Sequence, residues 1–387
     1  MIETVSKTSE LAGRLRERIR RNGPMTFRDW MNAALYDPAD GYYCRSDQTR
    51  WGREGDYRTS PERSSLFAAT FARYFAQLYN ELGCPSHWTI VEAGAGDGHF
   101  ASGVLQTLQQ SFPLVFSATS YVIDEVSPHS RSLAQKRLQA FADRLEFKRI
   151  DEVEMDSGVV FSNELLDAFP VHQLTMDQGQ LREVFVSVDE NERFVWALGE
   201  PATDSSRRLR EYFEEFAIQV GDGQVVEVNL EIEEWLRKVA ARMRAGYVVT
   251  VDYGAAADDL YSQMAARDGS LRGFQRHRLV ADVLAQPGRQ DLTTTVNWSF
   301  VKSCGARLGF EVVKLERQDR FLLAAGFLEQ LELETRASED EAERLRLSTA
   351  AREMILPGSM ASHFQVLVQK KTDSNQAEPR ALARALS

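Results

Sequence analysis

The chain has 387 residues, of which 43% are hydrophobic and 27% charged, and its formal net charge is −11 at pH 7. This composition is typical of a globular enzyme, and the length allows two or three domains or one large α/β domain with insertions. The acidic balance, with no block of lysine or arginine, excludes typical nucleic-acid binders, because affinity for phosphates requires clustered cations. A cationic protein segment is the more natural partner.

The cysteines and the hydropathy profile narrow the class further. Cys44, Cys84 and Cys304 form no Cys-x-x-Cys pair and the six histidines are scattered, so we expect neither a disulfide framework nor a metal site. No apolar run approaches the roughly 18 residues of a membrane helix, so we expect no membrane insertion. The basic stretch at 14–21 is similar to a transit peptide, but interspersed glutamates weaken that interpretation. We therefore expect a reduced, cytoplasmic protein.

The first 85 residues are predicted to form a helical N-terminal cap. The spacing of apolar residues predicts helices over 9–21 and 26–35, the second with Thr26 as N-cap. A turn-rich stretch follows, and Ser60-Pro61-Glu62 then opens a third helix with an aromatic stripe that faces a core.

From Trp88 the pattern changes to alternating strands and helices, which favours a doubly wound parallel sheet. The predicted strands are 89–93, 121–126, 145–148, 158–162, 247–252, 310–315 and 364–368. The intervening helices include 128–142 and 232–245. Five β/α units followed by two late strands match an α/β fold with the Rossmann-like seven-stranded sheet of class I methyltransferases better than a dehydrogenase sheet.

The predicted domains are therefore the cap, residues 1–85, and a methyltransferase core, residues 86–371. The core carries insertions at about 175–230, with a hairpin over 181–188 and 194–198, and at 255–300. A charged amphipathic helix or helix pair is predicted over 326–353. The polar residues 372–387 are expected to form a loose tail.

The segment Glu92-Ala93-Gly94-Ala95-Gly96-Asp97-Gly98 is the best single motif of the sequence. Glycines between a strand and a helix let a ligand approach the bare backbone at the carboxyl edge of the sheet. The Gly-x-Gly-x-Gly spacing differs from the Gly-x-Gly-x-x-Gly that serves a pyrophosphate. The acids Glu92 and Asp97 suit the cationic S-adenosylmethionine, although a structural turn is the alternative.

Two further acids follow the next strands. Glu125 closes the second strand, where a carboxylate can accept both ribose hydroxyls of a nucleoside. Asp151, after the third strand, could reach an adenine amino group. Surface acids without a ligand are the alternative for both residues.

The fourth strand leads into Ser162-Asn163-Glu164-Leu165-Leu166-Asp167, at the edge that faces the reactive end of a cofactor in such sheets. We assign Asn163 to the cofactor site. Glu164 and Asp167 share a face if the segment turns helically. Paired carboxylates could hold a guanidinium and orient one nitrogen toward a sulfonium methyl group. A solvated, N-capping pair of acids is the alternative.

Three other residues are candidates for substrate binding. His172 is more often structural than catalytic in such a setting. Arg272 lies in a basic segment that is either a substrate loop or a solvated face. Tyr253 follows the fifth strand at the same edge of the sheet and is expected to line the cleft.

Taken together, these motifs resemble the MidA family of S-adenosylmethionine-dependent methyltransferases, which includes mitochondrial complex I assembly-factor arginine methyltransferases. The matching blocks run in the family's order over residues 25–300. The most specific are Gly55-Asp56-Tyr57 with Thr59-Ser60-Pro61-Glu62, and Asn163-Glu164-Leu165-Leu166-Asp167-Ala168-Phe169-Pro170-Val171-His172.

The resemblance implies S-adenosyl-L-methionine as cofactor and protein arginine as acceptor, with a respiratory-complex subunit as one conceivable partner. By position, Gly94, Gly96 and Glu125 would hold the cofactor, and Glu164 and Asp167 would face the substrate. The cap residues Asp56, Thr59 and Ser60 would close the site.

The sequence departs from the family pattern in two places. The glycine loop has Ala95 where the family usually has proline. The family's Asp-Leu-Thr-Ala-Asp-Val-Asp becomes Asp291-Leu292-Thr293-Thr294-Thr295-Val296-Asn297, which loses acids at Thr295 and Asn297. The choice of acceptor is therefore the part of the expectation that these changes affect.

Two other classes of function remain as alternatives. An NAD-dependent oxidoreductase is disfavoured by the glycine spacing and by the lack of any Tyr-x-x-x-Lys pair. An assembly or chaperone-like protein with a purely structural cofactor site predicts that alanine at Glu164 and Asp167 leaves the biological role intact.

Overall fold

A computed structural model describes residues 10–46, 65–262, 269–275, 278–356 and 363–373. The predicted site residues Asp56, Thr59 and Ser60 lie outside the described residues, as does most of the predicted tail. Among the helices that the structure describes, none combines the length and the apolar character needed to cross a membrane.

The helices of the described residues are α1 (Glu10–Asn22), α2 (Phe27–Tyr36), α3 (Ser65–Glu81), α4 (His99–Ser111), α5 (Pro113–Ala118), α6 (Pro128–Arg137), α7 (Ser206–Glu215), α8 (Glu231–Arg242), α9 (Ala257–Leu260), α10 (Trp298–Arg307), α11 (Gln318–Ala324), α12 (Phe327–Ala337) and α13 (Glu341–Ile355).

The strands are β1 (Met25–Thr26), β2 (Trp88–Ala93), β3 (Thr119–Asp124), β4 (Leu145–Phe147), β5 (Met155–Asn163), β6 (His172–Asp177), β7 (Gln180–Val188), β8 (Phe194–Gly199), β9 (Val225–Val228), β10 (Met243–Ala255), β11 (Arg272–Gln275), β12 (Arg278–Leu279), β13 (Asp291–Thr293), β14 (Val296–Asn297), β15 (Phe310–Arg317) and β16 (Phe364–Lys371).

The chain divides into two compact units. The first consists of the described parts of Met1–Tyr57, Leu166–Ile232 and Ala255–Ser299. The second consists of the described parts of Arg58–Leu165, Glu233–Gly254 and Phe300–Ser387. Long-range contacts therefore join the N-terminal helices α1 and α2 to both predicted insertions.

The central sheet of the second unit has the strand order β15-β16-β10-β5-β2-β3-β4. Strands β2, β3, β4, β5 and β10 are parallel, whereas β16 runs antiparallel between β10 and β15. The inner strands β2, β3, β5 and β10 are largely buried, as expected where both faces of a parallel sheet are covered, whereas only Phe310 of β15 is buried. The structure thus confirms the predicted seven-stranded methyltransferase sheet.

The aromatic stripe of α3 belongs to the core of this second unit. The ring centroids of Phe71 and of Phe161 in β5 are 5.0 Å apart, and both side chains are at most 1% exposed. The structure therefore places α3, which the sequence analysis assigned to the cap, in the second unit, because its long apolar face is buried against the sheet. That a cap completes the active site stays a prediction.

The first unit is built on two small sheets. One has the order β1-β7-β6-β9, with β8 paired to β7, and the other has the order β12-β11-β13. The antiparallel pair β7–β8 confirms the predicted hairpin. Thr26 caps α2 as predicted, because its hydroxyl accepts a hydrogen bond from the backbone N–H of Asp29 at 3.2 Å.

Two predicted helices differ in extent, whereas a third segment adopts one of its two predicted forms. The helix predicted over 128–142 ends at Arg137, and a 3-10 turn, Gln139–Arg144, follows it. The helix predicted over 232–245 ends at Arg242, where β10 begins at once. The charged segment 326–353 forms the two helices α12 and α13, separated at Ser338.

Candidate active site

Four strand ends meet at the carboxyl edge of the central sheet in the second unit. The parallel register pairs Ala93 of β2 with Asp124 of β3 and with Ser162 of β5, and it pairs Val251 of β10 with Asn163. The glycine loop, Glu125, Asn163 and Tyr253 follow these positions. The sheet therefore brings these predicted residues to one edge, as open α/β folds do at ligand sites.

The glycine loop connects β2 to α4 with three left-handed residues. Gly94, Gly96 and Gly98 have φ angles of 72°, 56° and 81°, which side-chain-bearing residues adopt only at a cost. A Cβ atom on Gly94 would lie 3.0 Å from Cδ1 of Leu165, and one on Gly98 would lie 3.1 Å from Cβ of Ala134. Tight packing therefore adds to the conformational requirement.

Glu125 ties the second strand to this loop. Its Oε2 accepts a hydrogen bond from the backbone N–H of Gly96 at 2.8 Å, and its Oε1 accepts one from the N–H of Ser127 at 2.7 Å. The side chain is 8% exposed. A carboxylate held by two amides has a fixed orientation, which a ligand with two hydroxyl groups requires.

Glu92 has a different environment from the one predicted. Its side chain is buried within the sheet and its Oε2 accepts a hydrogen bond from the hydroxyl of Tyr121 at 2.7 Å. Burial raises the pKa of Glu92 to about 8, and the nearby charges of Glu125 and Asp97 act in the same direction. A carboxyl that is mostly protonated at neutral pH does not offer the negative charge proposed for a sulfonium, so this arrangement disfavours Glu92 as a charged cofactor ligand.

Asp97 is also compensated by protein groups. Its carboxylate lies 2.8 Å from Nη2 of Arg137 and 2.7 Å from Nδ1 of His99. Burial raises the pKa of Asp97, but the hydrogen bond from His99 and the charges of His99 and Arg137 outweigh it and lower the pKa overall. These contacts indicate that Asp97 fixes the start of α4 against α6.

An acid that the sequence analysis passed over lies next to Glu125. Asp124 is 7% exposed, and its Oδ2 accepts a hydrogen bond from the N–H of Ile150 at 3.0 Å. Burial raises the pKa of Asp124 even though Arg149 lies nearby. Asp124 thus orders the 3-10 turn Ile150–Glu152, on which the predicted adenine contact Asp151 is exposed. The consecutive acids at 124 and 125 were the only signal in the sequence.

The end of β5 carries Asn163 and Glu164. The amide Nδ2 of Asn163 donates to Oε1 of Glu164 at 2.9 Å, while its Oδ1 is buried without a hydrogen-bond partner among the described residues. Glu164 has a φ of 52°, a left-handed conformation that costs about 1–2 kcal/mol for a residue with a side chain. Two hydrogen bonds hold the chain there: the N–H of Glu164 donates to the carbonyl of Val251 at 2.9 Å, and the N–H of Leu165 donates to the carboxylate Oδ2 of Asp252 at 3.2 Å.

Asp167 lies in a β turn of the first unit. The turn runs from Leu166 to Phe169, whose N–H donates to the carbonyl of Leu166 at 3.3 Å, and Asp167 is 4% exposed. The segment from Glu164 to Asp167 is therefore not helical, and the shared helical face considered for the two acids does not form. The Phe169-Pro170 step that follows disfavours helix at this point.

His172 has a structural environment. Its Nδ1 lies 2.7 Å from Oε1 of Glu183, which is fully buried, and the other oxygen of Glu183 accepts a hydrogen bond from the N–H of Ala202 at 2.7 Å. Nδ1 of His172 and both carboxylate oxygens of Glu183 are therefore engaged by groups of the protein. The structural interpretation of His172 is therefore the better supported one.

A pocket of about 310 Å³ lies within the first unit. The exposed side chains of Asp259 and Arg272 line it together with Thr295. One wall is rigid, because the buried carboxylate of Glu227 accepts hydrogen bonds from the N–H of Ser270 at 2.8 Å and from its hydroxyl at 3.0 Å. The predicted substrate residue Arg272 and one of the two altered acid positions thus meet here.

The other altered position lies in the interior. Asn297 is 4% exposed and donates through Nδ2 to the hydroxyl of Tyr212 at 2.7 Å, which in turn lies 2.6 Å from the hydroxyl of Tyr261. The predicted cleft residue Tyr253, in the second unit, packs against Phe364 with 3.8 Å between ring centroids and 36° between the ring planes. The two altered acid positions, Thr295 and Asn297, therefore have different surroundings and are expected to have different consequences.

The residues of the second unit fit an S-adenosyl group by their chemistry. The glycine loop exposes backbone, Glu125 is an oriented acceptor for ribose hydroxyls, and the buried Oδ1 of Asn163 is an acceptor suited to a cofactor ammonium group. Arg137 of α6, which contacts the loop at Asp97, is paired with that carboxylate, so its charge does not oppose a cationic ligand.

Comparison with known proteins also indicates a site for an S-adenosyl group. The sequence model of a family described as S-adenosyl-L-methionine-dependent methyltransferase matches residues 70–315 of the chain. A crystal structure from Burkholderia thailandensis, bound to S-adenosyl-homocysteine, superposes with a TM-score of 0.81 at 29% sequence identity and covers 94% of this chain and 92% of that one.

Curated relatives add a more specific activity. A Drosophila melanogaster protein named protein arginine methyltransferase NDUFAF7 homolog, mitochondrial, is 28% identical over 320 residues, which cover 76% of this chain and 69% of the relative. The Danio rerio protein named protein arginine methyltransferase NDUFAF7, mitochondrial, is 27% identical over 381 residues, covering 91% and 84%. The names of these relatives contradict the cytoplasmic location expected above, so that expectation is wrong.

Proposed function

Because the chain belongs to this family of S-adenosyl-L-methionine-dependent methyltransferases, we propose that it methylates an arginine side chain of a protein. The cofactor is S-adenosyl-L-methionine, and the proposal concerns the acceptor. The observation that carries it is the left-handed backbone of Glu164 at the end of β5. A non-glycine residue keeps such a conformation only where its surroundings fix it, and this occurs preferentially at functional sites.

Bound cofactor would supply a methyl group on a positively charged sulfur, and the neutral thioether that remains is a good leaving group. Gly94, Gly96 and Glu125 would hold it, with Asn163 as a further acceptor. The chain's own task is to place a guanidinium nitrogen in line with the carbon–sulfur bond. Glu164 is suited to this, because a carboxylate binds the planar N–H groups of a guanidinium in a fixed direction.

A strong general base is not required by this mechanism. The guanidinium keeps its proton at neutral pH, so orientation and negative charge contribute more than early proton removal. Glu164 would bind nitrogens that are not methylated and leave the reacting one free, and Asp167 is proposed as a second acid that faces the substrate. The proton that the product loses then passes to a carboxylate or to water. The overall acidity of the chain, with a net charge of −11, also attracts a basic protein segment.

The first experiment separates the cofactor from the acceptor. Titration with S-adenosyl-homocysteine, with NAD as control, measures the cofactor site. Incubation of a cell extract with the protein and isotope-labelled S-adenosyl-L-methionine, followed by mass spectrometry, identifies the methylated side chain. We expect labelled methylarginine in the complete reaction and none without the protein.

Isosteric variants test the roles of the two acids. We expect Glu164→Gln and Asp167→Asn to lower kcat about 100-fold, because positioning in methyl transfer depends on their charge and direction. Asp156→Asn, which changes an exposed acid on β5, the strand that precedes Glu164, is the matched control. Label on another side chain would overturn arginine as the acceptor. Wild-type biological activity of both variants would favour the assembly-protein alternative.

A further inference from the structure

The turn that carries Asp167 is bound by hydrogen bonds at three consecutive carbonyl groups. The carbonyl of Leu166 accepts a hydrogen bond from Nδ2 of Asn229 at 2.9 Å. The carbonyl of Asp167 accepts one from the backbone N–H of Thr294 at 2.9 Å, with the Thr294 hydroxyl at 3.4 Å. The carbonyl of Ala168 accepts one from the hydroxyl of Tyr36 at 3.0 Å.

The three donors come from distant parts of the chain. Tyr36 ends α2, Asn229 lies between β9 and α8, and Thr294 lies between β13 and β14; they are 132, 63 and 127 residues from their acceptors. All belong to the first unit. Tyr36 is itself held in place, because its ring packs 5.4 Å from that of Tyr43, whose hydroxyl donates to the buried Asp291 at 2.6 Å.

These contacts have a directional consequence. A β turn by itself has one closing hydrogen bond, here 3.3 Å long, and its central peptide planes can rotate. Fixing the carbonyls on both sides of Asp167 fixes φ and ψ of that residue, and with them the direction in which its Cα–Cβ bond points. A buried carbonyl also needs a partner, but satisfying three in succession from three separate segments determines one orientation of the turn.

We propose that Tyr36, Asn229 and Thr294 are positioning residues, which hold the turn Leu166–Phe169 so that the carboxylate of Asp167 is directed at the acceptor. This inference rests on the proposed function, since it assigns to Asp167 a contact with substrate. None of the three donors needs to touch the acceptor. They act on the reaction through the backbone of the turn.

Single variants test the proposal by their separate effects on kcat and on the affinity for S-adenosyl-homocysteine. We expect Tyr36→Phe to lower kcat about tenfold, and Asn229→Leu more, because a small misdirection of a positioning group is costly in group transfer. Thr294→Val should have the smallest effect, since the backbone N–H of Thr294 stays in place. The affinity for S-adenosyl-homocysteine should change less than twofold, because the cofactor residues belong to the second unit.

Tyr212→Phe is the matched control. It removes one hydroxyl in the same unit, and that hydroxyl makes two contacts, with Asn297 and Tyr261, so the loss of thermal stability should be at least as large as for Tyr36→Phe. Its kcat should stay within twofold of the wild type. Equal losses of kcat in the two variants would mean that Tyr36 acts only through stability, and the proposal would be overturned.

A double-variant cycle and amide exchange complete the test. Once Asp167→Asn has removed the charge, adding Tyr36→Phe should lower kcat no further, whereas independent effects would multiply and contradict the proposal. Hydrogen exchange of residues 166–169 should accelerate in Tyr36→Phe and Asn229→Leu but not in Tyr212→Phe. If exchange behaves so but the wild type methylates no arginine, the proposed function has failed. If methylation occurs and exchange is unchanged, the positioning role has failed.

Discussion

The glycine loop of the second unit and the turn of Asp167 in the first unit are built from contacts of very different range. The loop is held mainly by Glu125, 29 residues from Gly96, within one strand–loop–helix–strand segment. The turn is held by Tyr36 and Thr294, 132 and 127 residues from their acceptors. The contrast teaches that cofactor recognition here is a property of a contiguous segment, whereas orientation of the acceptor-side acid depends on the fold of a whole unit.

The largest expected effect tests the local side of this comparison. Glu125→Gln replaces one accepting oxygen by an NH₂ group. The NH₂ group cannot accept a hydrogen bond from the N–H of Gly96 or of Ser127, and it cannot accept one from a ribose hydroxyl. We expect the affinity for S-adenosyl-homocysteine to fall about 100-fold, since charge-assisted hydrogen bonds contribute about 1.5–3 kcal/mol each. Calorimetric titration measures it.

Glu146→Gln is the control for this variant, because it neutralises a half-exposed acid on the neighbouring strand β4. Its affinity for the ligand should match the wild type. Unchanged affinity in Glu125→Gln would show that Glu125 only fastens the loop, and the ribose contact would have to be assigned elsewhere.

The second prediction concerns the buried acid of the same region and its response to pH. Because burial raises the pKa of Glu92 from 4.5 to about 8, the folded chain keeps a proton that the unfolded chain releases. The free energy of unfolding should therefore fall as the pH rises from 4.5 to 8, and this contribution should level off above that. Relative to wild type, Glu92→Gln should therefore gain about 3–4 kcal/mol in the free energy of unfolding as the pH rises from 5 to 8, measured by urea denaturation.

Tyr121→Phe sharpens that test. The hydroxyl of Tyr121 donates to Glu92 and lowers its pKa, so its removal should raise that pKa further and extend the loss of stability to higher pH. A wild-type profile in Glu92→Gln would mean that Glu92 is ionised in the folded state, and its predicted role as a charged cofactor ligand would return.

Much of the fold could be predicted from the sequence because its signals are local. Alternating apolar strands and helices predicted the seven strands of the central sheet, and the pattern around 181–198 predicted the hairpin β7–β8. The position of α3 could not be predicted in this way. An aromatic stripe shows that a helix is buried but does not indicate which of two cores it contacts.

The same difference between local signals and long-range contacts applies to the candidate site. The glycine loop and Glu125 follow a strand and are adjacent in any parallel sheet, so their meeting could be predicted. The sequence could not distinguish Asp124, which orders a turn, from Glu125, which contacts the loop, because alternation along a strand places neighbours on opposite faces without showing which face holds the ligand. The donors to the Asp167 turn carry no motif, since any hydroxyl or amide brought there by the fold would serve.

A third prediction separates conformational strain from packing in the glycine loop. Gly94 and Gly179 have φ angles of 72° and 74°, but a Cβ on Gly94 meets Leu165 at 3.0 Å whereas one on Gly179 meets nothing within 4 Å. Both alanine variants should lose about 1 kcal/mol from the left-handed backbone. We expect only Gly94→Ala to lose about tenfold in ligand affinity as well, or about 1.4 kcal/mol. Equal ligand affinity in the two variants would show that the loop tolerates displacement.

The smallest expected effect addresses the acceptor side, where long-range structure brings together Asp259, Arg272 and Thr295 around one pocket. Thr295→Asp adds a negative charge to a partly exposed position and should cost little stability. For a basic peptide acceptor we expect KM to fall about threefold at low salt and to return to the wild-type value at high salt, because exposed charges are screened. Thr203→Asp adds the same charge at an exposed site of the first unit outside the pocket, so it controls for net charge. If both variants change KM equally, the pocket has no part in acceptor choice and only the overall acidity of the chain attracts the substrate. If only Thr295→Asp does, the altered acid position tunes the recognition of the acceptor, and this tuning depends on the fold of the first unit rather than on the local motif that binds the cofactor.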